Sequence, residues 1–387
     1  MARIELLDVA HAYQLRRADT GEGLRATGYG QSGTSHVATS PPAPNQPSVP
    51  WALKPMTMAW DDGGAYALLG PSGCGKTTLL NIISGLITPT RGRILFDARD
   101  VTNLAPEARN IAQVFQFPVV YDTMTVFDNL AFPLRNRGWN SADARKRVHE
   151  VAEILELTPD LGKRARALSA DQQQKISLGR GLVRADVAAV LFDEPLTVID
   201  PHLKWLLRRK LKQIHQQLKL SLIYVTHDQT EALTFADRVV VMTQGEVVQI
   251  GTPQELFEFP AHRFVGHFIG APGMNFLRCT WVNGAARIGD LAVATNSSRE
   301  PPAGANLVIG VRPDYVELAG SPGANHVPAT LTAVHDQGVH AMAQLEVHGE
   351  TLWAKLRKPR SLPTLGATFA RLPAHRCAIY ADDVRLA

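Results

Sequence analysis

Residues 70–78 read GPSGCGKTT, and no other stretch narrows the fold of this 387-residue chain so far. The pattern G-x-x-x-x-G-K-[ST] needs a strand before it and a helix after it, so that the free amides opening the helix point at a phosphate. Both flanks are present: YALLG at 66–70 is an apolar run, and TLLNIISGL at 78–86 reads as helix. The backbone amides of Gly73, Cys74, Gly75 and Lys76 would wrap a β-phosphate, Lys76 would reach the β- and γ-oxygens, and Thr77 would set its hydroxyl on Mg²⁺. Gly70, Pro71, Ser72 and Thr78 complete the expected nucleotide loop.

A second half-site follows. AAVLFDE at 188–194 is nearly continuous apolar sequence with a polar end, the pattern of a strand covered on both faces of a parallel sheet. It delivers Asp193 and Glu194 at its carboxyl end, where ligands bind in open α/β sheets. Asp193 suits a metal ion, and Glu194 can polarise a water toward the γ-phosphate. In LIYVTHDQTEA, at 222–232, His227 ends an apolar strand, and Gln116 sits in AQVFQFP; alone, either would pass as structural. LSADQQQ at 168–174 reads as a helix start capped by Ser169 or Asp171.

Apolar runs alternate with helical patterns up to about residue 240, which implies a doubly wound α/β domain over 1–240. One helix, 202–218, puts Leu203, Leu206, Leu207, Leu211, Ile214 and Leu218 on a single stripe. Residues 14–50, rich in Gly, Ser, Thr, Pro and Ala and ending SPPAPNQPSVP, lack any apolar period and are expected to be a disordered insertion. Residues 241–280 read as a connecting segment with a helix and loop at 261–277. Beyond them, NLVIGVRPDYVEL, MAQLEVHG and TLWAKL, separated by Gly- and Pro-rich turns, predict a β-rich domain over 281–387.

Lys and Arg exceed Asp and Glu only by 40 to 36, and no block of like charge appears, so nothing points to nucleic acid. Cys74, Cys279 and Cys377 are too scattered for a disulfide framework or a metal site, which fits a reducing cytosol. The opening MARIELLDVA lacks the apolar core of a signal peptide, and no apolar run is long enough to span a bilayer. If such a chain works at a membrane, it sits on it.

Taken in order, these pieces resemble the nucleotide-binding subunit of ATP-binding cassette (ABC) transporters over 1–13 and 51–277. The resemblance implies a P-loop ABC ATPase domain that binds ATP and Mg²⁺. It gives Tyr13, in HAYQ, the role of stacking on adenine. It gives Gln116 contact with Mg²⁺ and the attacking water, and coupling to membrane subunits. Glu194 becomes the general base, His227 the holder of the γ-phosphate, and Asp193 a metal ligand with Thr77. Asp200, ending TVID, becomes a bridge between two ATPase subunits.

GTPQELFEFPAHRFVGHFIGAPGMNF and IGVRPDYVEL are similar to sugar- and polyol-importer ATPases, which carry an OB-like regulatory domain. QVFQFPVVYDTMTVFDNLAFPLRN and LFDEPLTVIDPHLKW look most like ATPases of bacterial glycerol importers. That resemblance implies a peripheral protein on the cytoplasmic face of the inner membrane, working with a second ATPase subunit, two permeases and a periplasmic solute-binding protein. Glycerol is the expected solute, with glycerol 3-phosphate or an oligosaccharide as alternatives. The competing classes are a soluble ABC ATPase outside transport, and a P-loop kinase in which 168–172 and Asp200 would have no task.

In the family the helix tip reads LSGGQ and caps the γ-phosphate on the opposite subunit; here the tip is Ser169, Ala170, Asp171 and Gln172. A carboxylate at about 5 Å from one phosphate charge, at an effective dielectric near 20, costs up to roughly 3 kcal/mol. From this the expected assembly is a heterodimer with one attenuated site, a homodimer being the alternative.

Overall fold

Residues 2–13, 51–184, 186–197, 199–218, 220–297, 299–357 and 363–386 are described by the structure, a computed structural model. The insertion expected at 14–50 lies outside the described residues. The chain forms two compact units, Met1–Val247 and Val248–Ala387.

The first ten strands are β1 (Ile4–His11), β2 (Leu53–Trp60), β3 (Ala65–Leu69), β4 (Arg91–Phe96), β5 (Arg99–Asp100), β6 (Ala112–Val114), β7 (Val190–Asp193), β8 (Leu222–Thr226), β9 (Arg238–Thr243) and β10 (Glu246–Gly251). The helices among them are α1 (Lys76–Ser84), α2 (Pro106–Arg109), α3 (Val126–Arg135), α4 (Ser141–Ile154), α5 (Ala170–Leu182), α6 (Pro201–Leu218) and α7 (Gln229–Phe235). β2, β1, β4 and β5 make an antiparallel sheet. The second sheet has a parallel core in the order β9-β3-β8-β7-β6. β3 and β8 are buried at every position, as continuous apolar runs between two covered faces must be.

Register brings the carboxyl ends of these strands together. Leu69 lies opposite Thr226, Val225 opposite Asp193, and Phe192 opposite Val114. The residues that follow, Gly70, His227, Glu194 and Phe115, therefore leave the sheet along one edge. Glycine is required where the loop turns into α1. Gly75 has φ 102°, and a Cβ there would lie 2.7 Å from the Ala52 carbonyl oxygen.

In α6, Leu207, Leu211 and Ile214 are buried as the stripe requires, while the side chains of Leu203 and Leu218 lie outside the described residues. The segment expected to connect the domains does not stand apart. β9 and β10 take up its start, the chain passes between units within β10, and the rest belongs to the second unit.

That second unit is β-rich and OB-like. Strands Asn275–Arg278, Leu307–Val311, Ala378–Ala381 and Val384–Arg385 form one sheet, and a five-stranded sheet is built around His326–Asp336, His340–Val347 and Glu350–Arg357. Their inward residues, among them Leu277, Ile309, Leu331, Leu345 and Ile379, share one core. Arg312, 1% exposed, closes the short helices Pro253–Glu258 and Arg263–Phe268. Its guanidinium donates to the Phe257 carbonyl at 3.0 Å and the Gly266 carbonyl at 2.8 Å.

Candidate functional site

Apolar sequence holds β3 in the core and glycines let the next residues curl, so Gly70–Thr78 forms a loop whose amides open α1. Lys76 is buried inside that curl. Its ammonium donates to the Gly70 carbonyl at 2.8 Å and the Pro71 carbonyl at 2.9 Å, with Cys74 Sγ at 3.9 Å. A Cβ placed on Gly73 would meet no atom within 4 Å, so the loop's backbone is open on that side to a phosphate-sized group. Tyr13 stands at the loop: its hydroxyl and Thr78 Oγ1 are 3.0 Å apart, its ring meets His11 edge-on at 4.7 Å, and it is 52% exposed. A half-free aromatic face beside a phosphate loop fits a purine base.

At the end of β7, Thr77 Oγ1 donates to Asp193 Oδ1 at 3.3 Å. Burial pushes the Asp193 carboxyl above the usual carboxylate range, against the Thr77 hydrogen bond that lowers it; nearby Glu194 adds to the rise. Among the described residues no cluster of three or more His, Cys, Asp or Glu side chains could hold a metal. A hydroxyl and one half-buried carboxylate are a sparse, hard oxygen set, of the kind that suits a Mg²⁺ keeping waters and phosphate oxygens as its other ligands. A cation there would also offset the burial of the Asp193 charge.

Glu194 takes φ 47°, a left-handed conformation that costs a non-glycine residue about 1–3 kcal/mol. It is held by Glu194 N–H donating to the Val225 carbonyl at 3.0 Å and by Thr197 N–H donating to its own carbonyl at 3.2 Å. The bend aims the side chain at the end of β8, where His227 Nδ1 donates to Glu194 Oε2 at 3.0 Å and Thr197 Oγ1 donates to the same oxygen at 3.4 Å. His227 is itself anchored from below. Thr226 Oγ1 and the Tyr224 hydroxyl donate to buried Glu231 at 2.8 and 3.0 Å, and Asp228 N–H donates to Thr226 Oγ1 at 3.0 Å.

The strand ends thus bring together the phosphate loop, Tyr13, Asp193, Glu194 and His227. Gln116, half-buried two residues beyond β6, makes no hydrogen bond to any of them among the described residues. Ser169, Ala170, Asp171 and Gln172 open α5 and form no hydrogen bond with the phosphate loop among the described residues; exposed Asp200 precedes α6, its carbonyl accepting from Lys204 N–H at 3.0 Å. The question of which residue caps α5 has a definite answer. Ser169 Oγ accepts from Gln172 N–H at 3.3 Å and Ser169 N–H donates to Gln172 Oε1 at 3.3 Å, a reciprocal capping box. Asp171 is not the cap; its Oδ1 is buried and has no hydrogen-bond partner among the described residues.

Three contributors were missed in the sequence. Glu231 stood in LIYVTHDQTEA, an acidic residue in the first turn of the helix that follows His227, a signal that was available. Gln173, whose amide holds the Ala165 and Leu168 carbonyls at 3.1 and 3.3 Å, and Gln174 gave none, because three equal glutamines in a row show no phase.

Known proteins resemble this chain in sequence and in fold. The family described as ABC transporter matches residues 53–197, and the TOBE domain family matches 309–377. The sn-glycerol-3-phosphate import ATP-binding protein UgpC of Yersinia enterocolitica is 41% identical over 322 residues, covering 81% of this chain and 88% of that protein. UgpC of Salmonella typhimurium is 39% identical over 328 residues, covering 84% and 91%. Among solved structures, cbiO1 of Clostridium perfringens, part of an ABC transporter complex, aligns with a TM-score of 0.52 at 23% identity, covering 66% of this chain and 90% of that one. That last likeness is one of fold.

Proposed function

The chain belongs to the ABC transporter ATPases, as the ATP-binding and ATP-hydrolysing subunit of a carbohydrate-class importer, and from that membership we propose that it drives uptake of sn-glycerol 3-phosphate. The observation that carries the solute is the alignment with import proteins of that name over 88% and 91% of their lengths. Those names favour the alternative, glycerol 3-phosphate, over the expected glycerol.

Each site residue then has a task set by its position. The loop amides of Gly73–Lys76 bind the phosphates of ATP, the Lys76 ammonium turns from its carbonyls to the β- and γ-oxygens, and Tyr13 backs the base. Thr77 and Asp193 would hold Mg²⁺, which would neutralise developing phosphate charge. Glu194 takes the proton of the attacking water, its carboxylate kept in place by His227 and Thr197. With Nδ1 already donating to Glu194, His227 offers Nε2 to the γ-phosphate; as imidazolium it donates from both nitrogens. Gln116, just past the carboxyl end of neighbouring β6, orients the water.

The partner in the ATPase pair is proposed to be a second copy of this chain. Ser169 already caps the helix tip, and one Asp171 oxygen is turned into the protein, so the geometry does not ask for an unlike subunit. The comparisons lend the expected heterodimer no support. Among the described residues no helix is long and apolar enough to cross a membrane, in keeping with peripheral attachment through permeases at the cytoplasmic face. Phe115, Phe117, Val119 and Tyr121, 41, 67, 50 and 39% exposed, form an apolar row around Gln116 that favours permease contact there. An open groove of about 480 Å³ lined by Phe132, Pro133, Asn136, Arg137, Arg180 and Arg184 lies on α3 and α5, with no lining residue from the phosphate loop.

The test is the transporter rebuilt in liposomes with its permeases and solute-binding protein. sn-Glycerol 3-phosphate is expected to stimulate ATP hydrolysis and to accumulate inside. Stimulation by glycerol or an oligosaccharide in its place would overturn the assignment.

A further inference from the structure

Gln174 is completely buried, and none of the chemistry above uses it. Its Nε2 donates to the Pro195 carbonyl at 2.8 Å and to the Phe115 carbonyl at 3.3 Å. Pro195 follows Glu194, and Phe115 precedes Gln116. The two N–H groups of one amide are thus tied to the carbonyl one residue past the base and to the peptide group that carries the water-orienting glutamine. The other end of that amide gains nothing: Oε1 is buried and has no hydrogen-bond partner among the described residues. An orphaned acceptor of this kind costs about 1–3 kcal/mol, so an apolar side chain would fill the space more cheaply. What an apolar residue could not supply is the pair of donors.

The grip continues along α5 at intervals of three. Ser177 Oγ accepts from Val119 N–H at 3.3 Å, and Arg180 donates to the Val119 carbonyl at 2.5 Å with its guanidinium 4.5 Å from the Tyr121 ring. One ridge of the helix whose tip is Ser169–Gln172 therefore holds the 115–121 segment at both ends and the turn after Glu194 as well.

We propose that Gln174 is a positioning residue that locks Glu194 and Gln116 to the same turn of α5, so that a displacement of the helix tip moves both together. Contact of the tip with the partner's nucleotide would then align the base and the water in this subunit's own site. The proposal rests on the reading of Glu194 as base and Gln116 as water-orienting residue, but Gln174 itself touches neither water nor nucleotide.

The test uses the full chain in the assembled transporter. Gln174→Met keeps the length and removes both donors. Its kcat should fall by on the order of tenfold or more, the penalty of a reacting group held loosely, with KM for ATP and melting temperature essentially unchanged. Gln174→Glu supplies a second readout. As a carboxylate it faces two carbonyls without a donor; once protonated it regains one. Its activity relative to the unaltered protein should therefore recover as pH is lowered, a profile that lost packing alone would not give. Normal kcat in Gln174→Met, or a flat relative pH profile in Gln174→Glu, overturns the proposal. Glu194→Gln run alongside separates the two levels. If that variant still turns over normally the base assignment fails, whereas an inactive Glu194→Gln beside a normal Gln174→Met sinks only the positioning role.

Discussion

Replacing Lys76 by methionine removes the ammonium and keeps most of the stem. The structure sets how much ATP affinity this should cost. Lys76 is 6% exposed, and its donors are already engaged at 2.8 and 2.9 Å with the Gly70 and Pro71 carbonyls. Binding a triphosphate is therefore an exchange, not a pure gain. Hydrogen bonds involving a charged group are worth about 1.5–3 kcal/mol each, with cation–anion pairs at the strong end. Two new bonds to phosphate would be worth about 3–6 kcal/mol, but giving up the two carbonyl contacts returns roughly half of that. The expected loss in Lys76→Met is about 1.5–3 kcal/mol, roughly 10- to 150-fold in Kd. ADP, lacking the γ-oxygens, should lose a smaller factor.

Titration calorimetry on the full chain with Mg·ATP and Mg·ADP measures both. A loss beyond about a thousandfold would mean that the carbonyl contacts do not compete with phosphate. Equal losses for ATP and ADP would mean that Lys76 does not reach the γ-phosphate. Either result refutes the exchange argument.

Glu194→Gln should bind ATP normally while hydrolysis drops about 10²- to 10⁴-fold, the usual worth of a general base, as single-turnover assays with labelled ATP would register. Asp193→Asn tests the half-buried carboxylate. Because burial raises the Asp193 pKa in the folded protein, its contribution to stability is full below the ordinary carboxylate range and is lost as pH rises through the raised value. The neutral asparagine should thus raise the melting temperature at neutral pH, converge with the parent in acid, and abolish stabilisation by Mg·ATP; a lower melting temperature at neutral pH would contradict this. Arg109→Met should destabilise the first unit by about 3–5 kcal/mol in urea melts, since the buried guanidinium donates to the carbonyls of Ile82, Ile83, Thr102 and Leu104 at 2.7–2.9 Å, and an unchanged midpoint would count against it.

What could be read in the sequence was whatever depends on local pattern. The apolar runs ending in Gly70, in Asp193 and in His227 announced strands with a polar carboxyl end, and parallel pairing turned those three ends into neighbours. The capping box was also legible, since Gln172 stands three residues after Ser169. What escaped depends on groups far apart in the chain. Arg109, at the end of the four-residue α2, is buried because the last carbonyls of α1, 26 and 27 residues earlier, converge on it. Arg312 is buried for the same reason against carbonyls 46 and 55 residues away. In both cases the charge is tolerated because a planar fork of donors matches several carbonyls at once, though burial still draws each guanidinium down to about 10.

The same distinction separates the three glutamines. Its spacing from Ser169 assigns Gln172 to the tip, whereas only the packing of α5 decides that Gln173 serves the preceding turn and Gln174 the strand ends. Glu194 shows why such support is needed. Its left-handed backbone is costly for a side chain with a Cβ, and no nearby glycine relieves it. The conformation holds because it is tied on several sides, by the Val225 carbonyl at its own N–H, by Thr197 at its carbonyl, and one residue on by Gln174 at the Pro195 carbonyl. Loosening the last tie leaves a strained residue free to relax toward ordinary backbone angles, which would swing the carboxylate away from His227. Strain at the base and, beneath it, an amide oxygen with no hydrogen-bond partner among the described residues are therefore two costs of one arrangement, and both fall where the chemistry needs a fixed carboxylate.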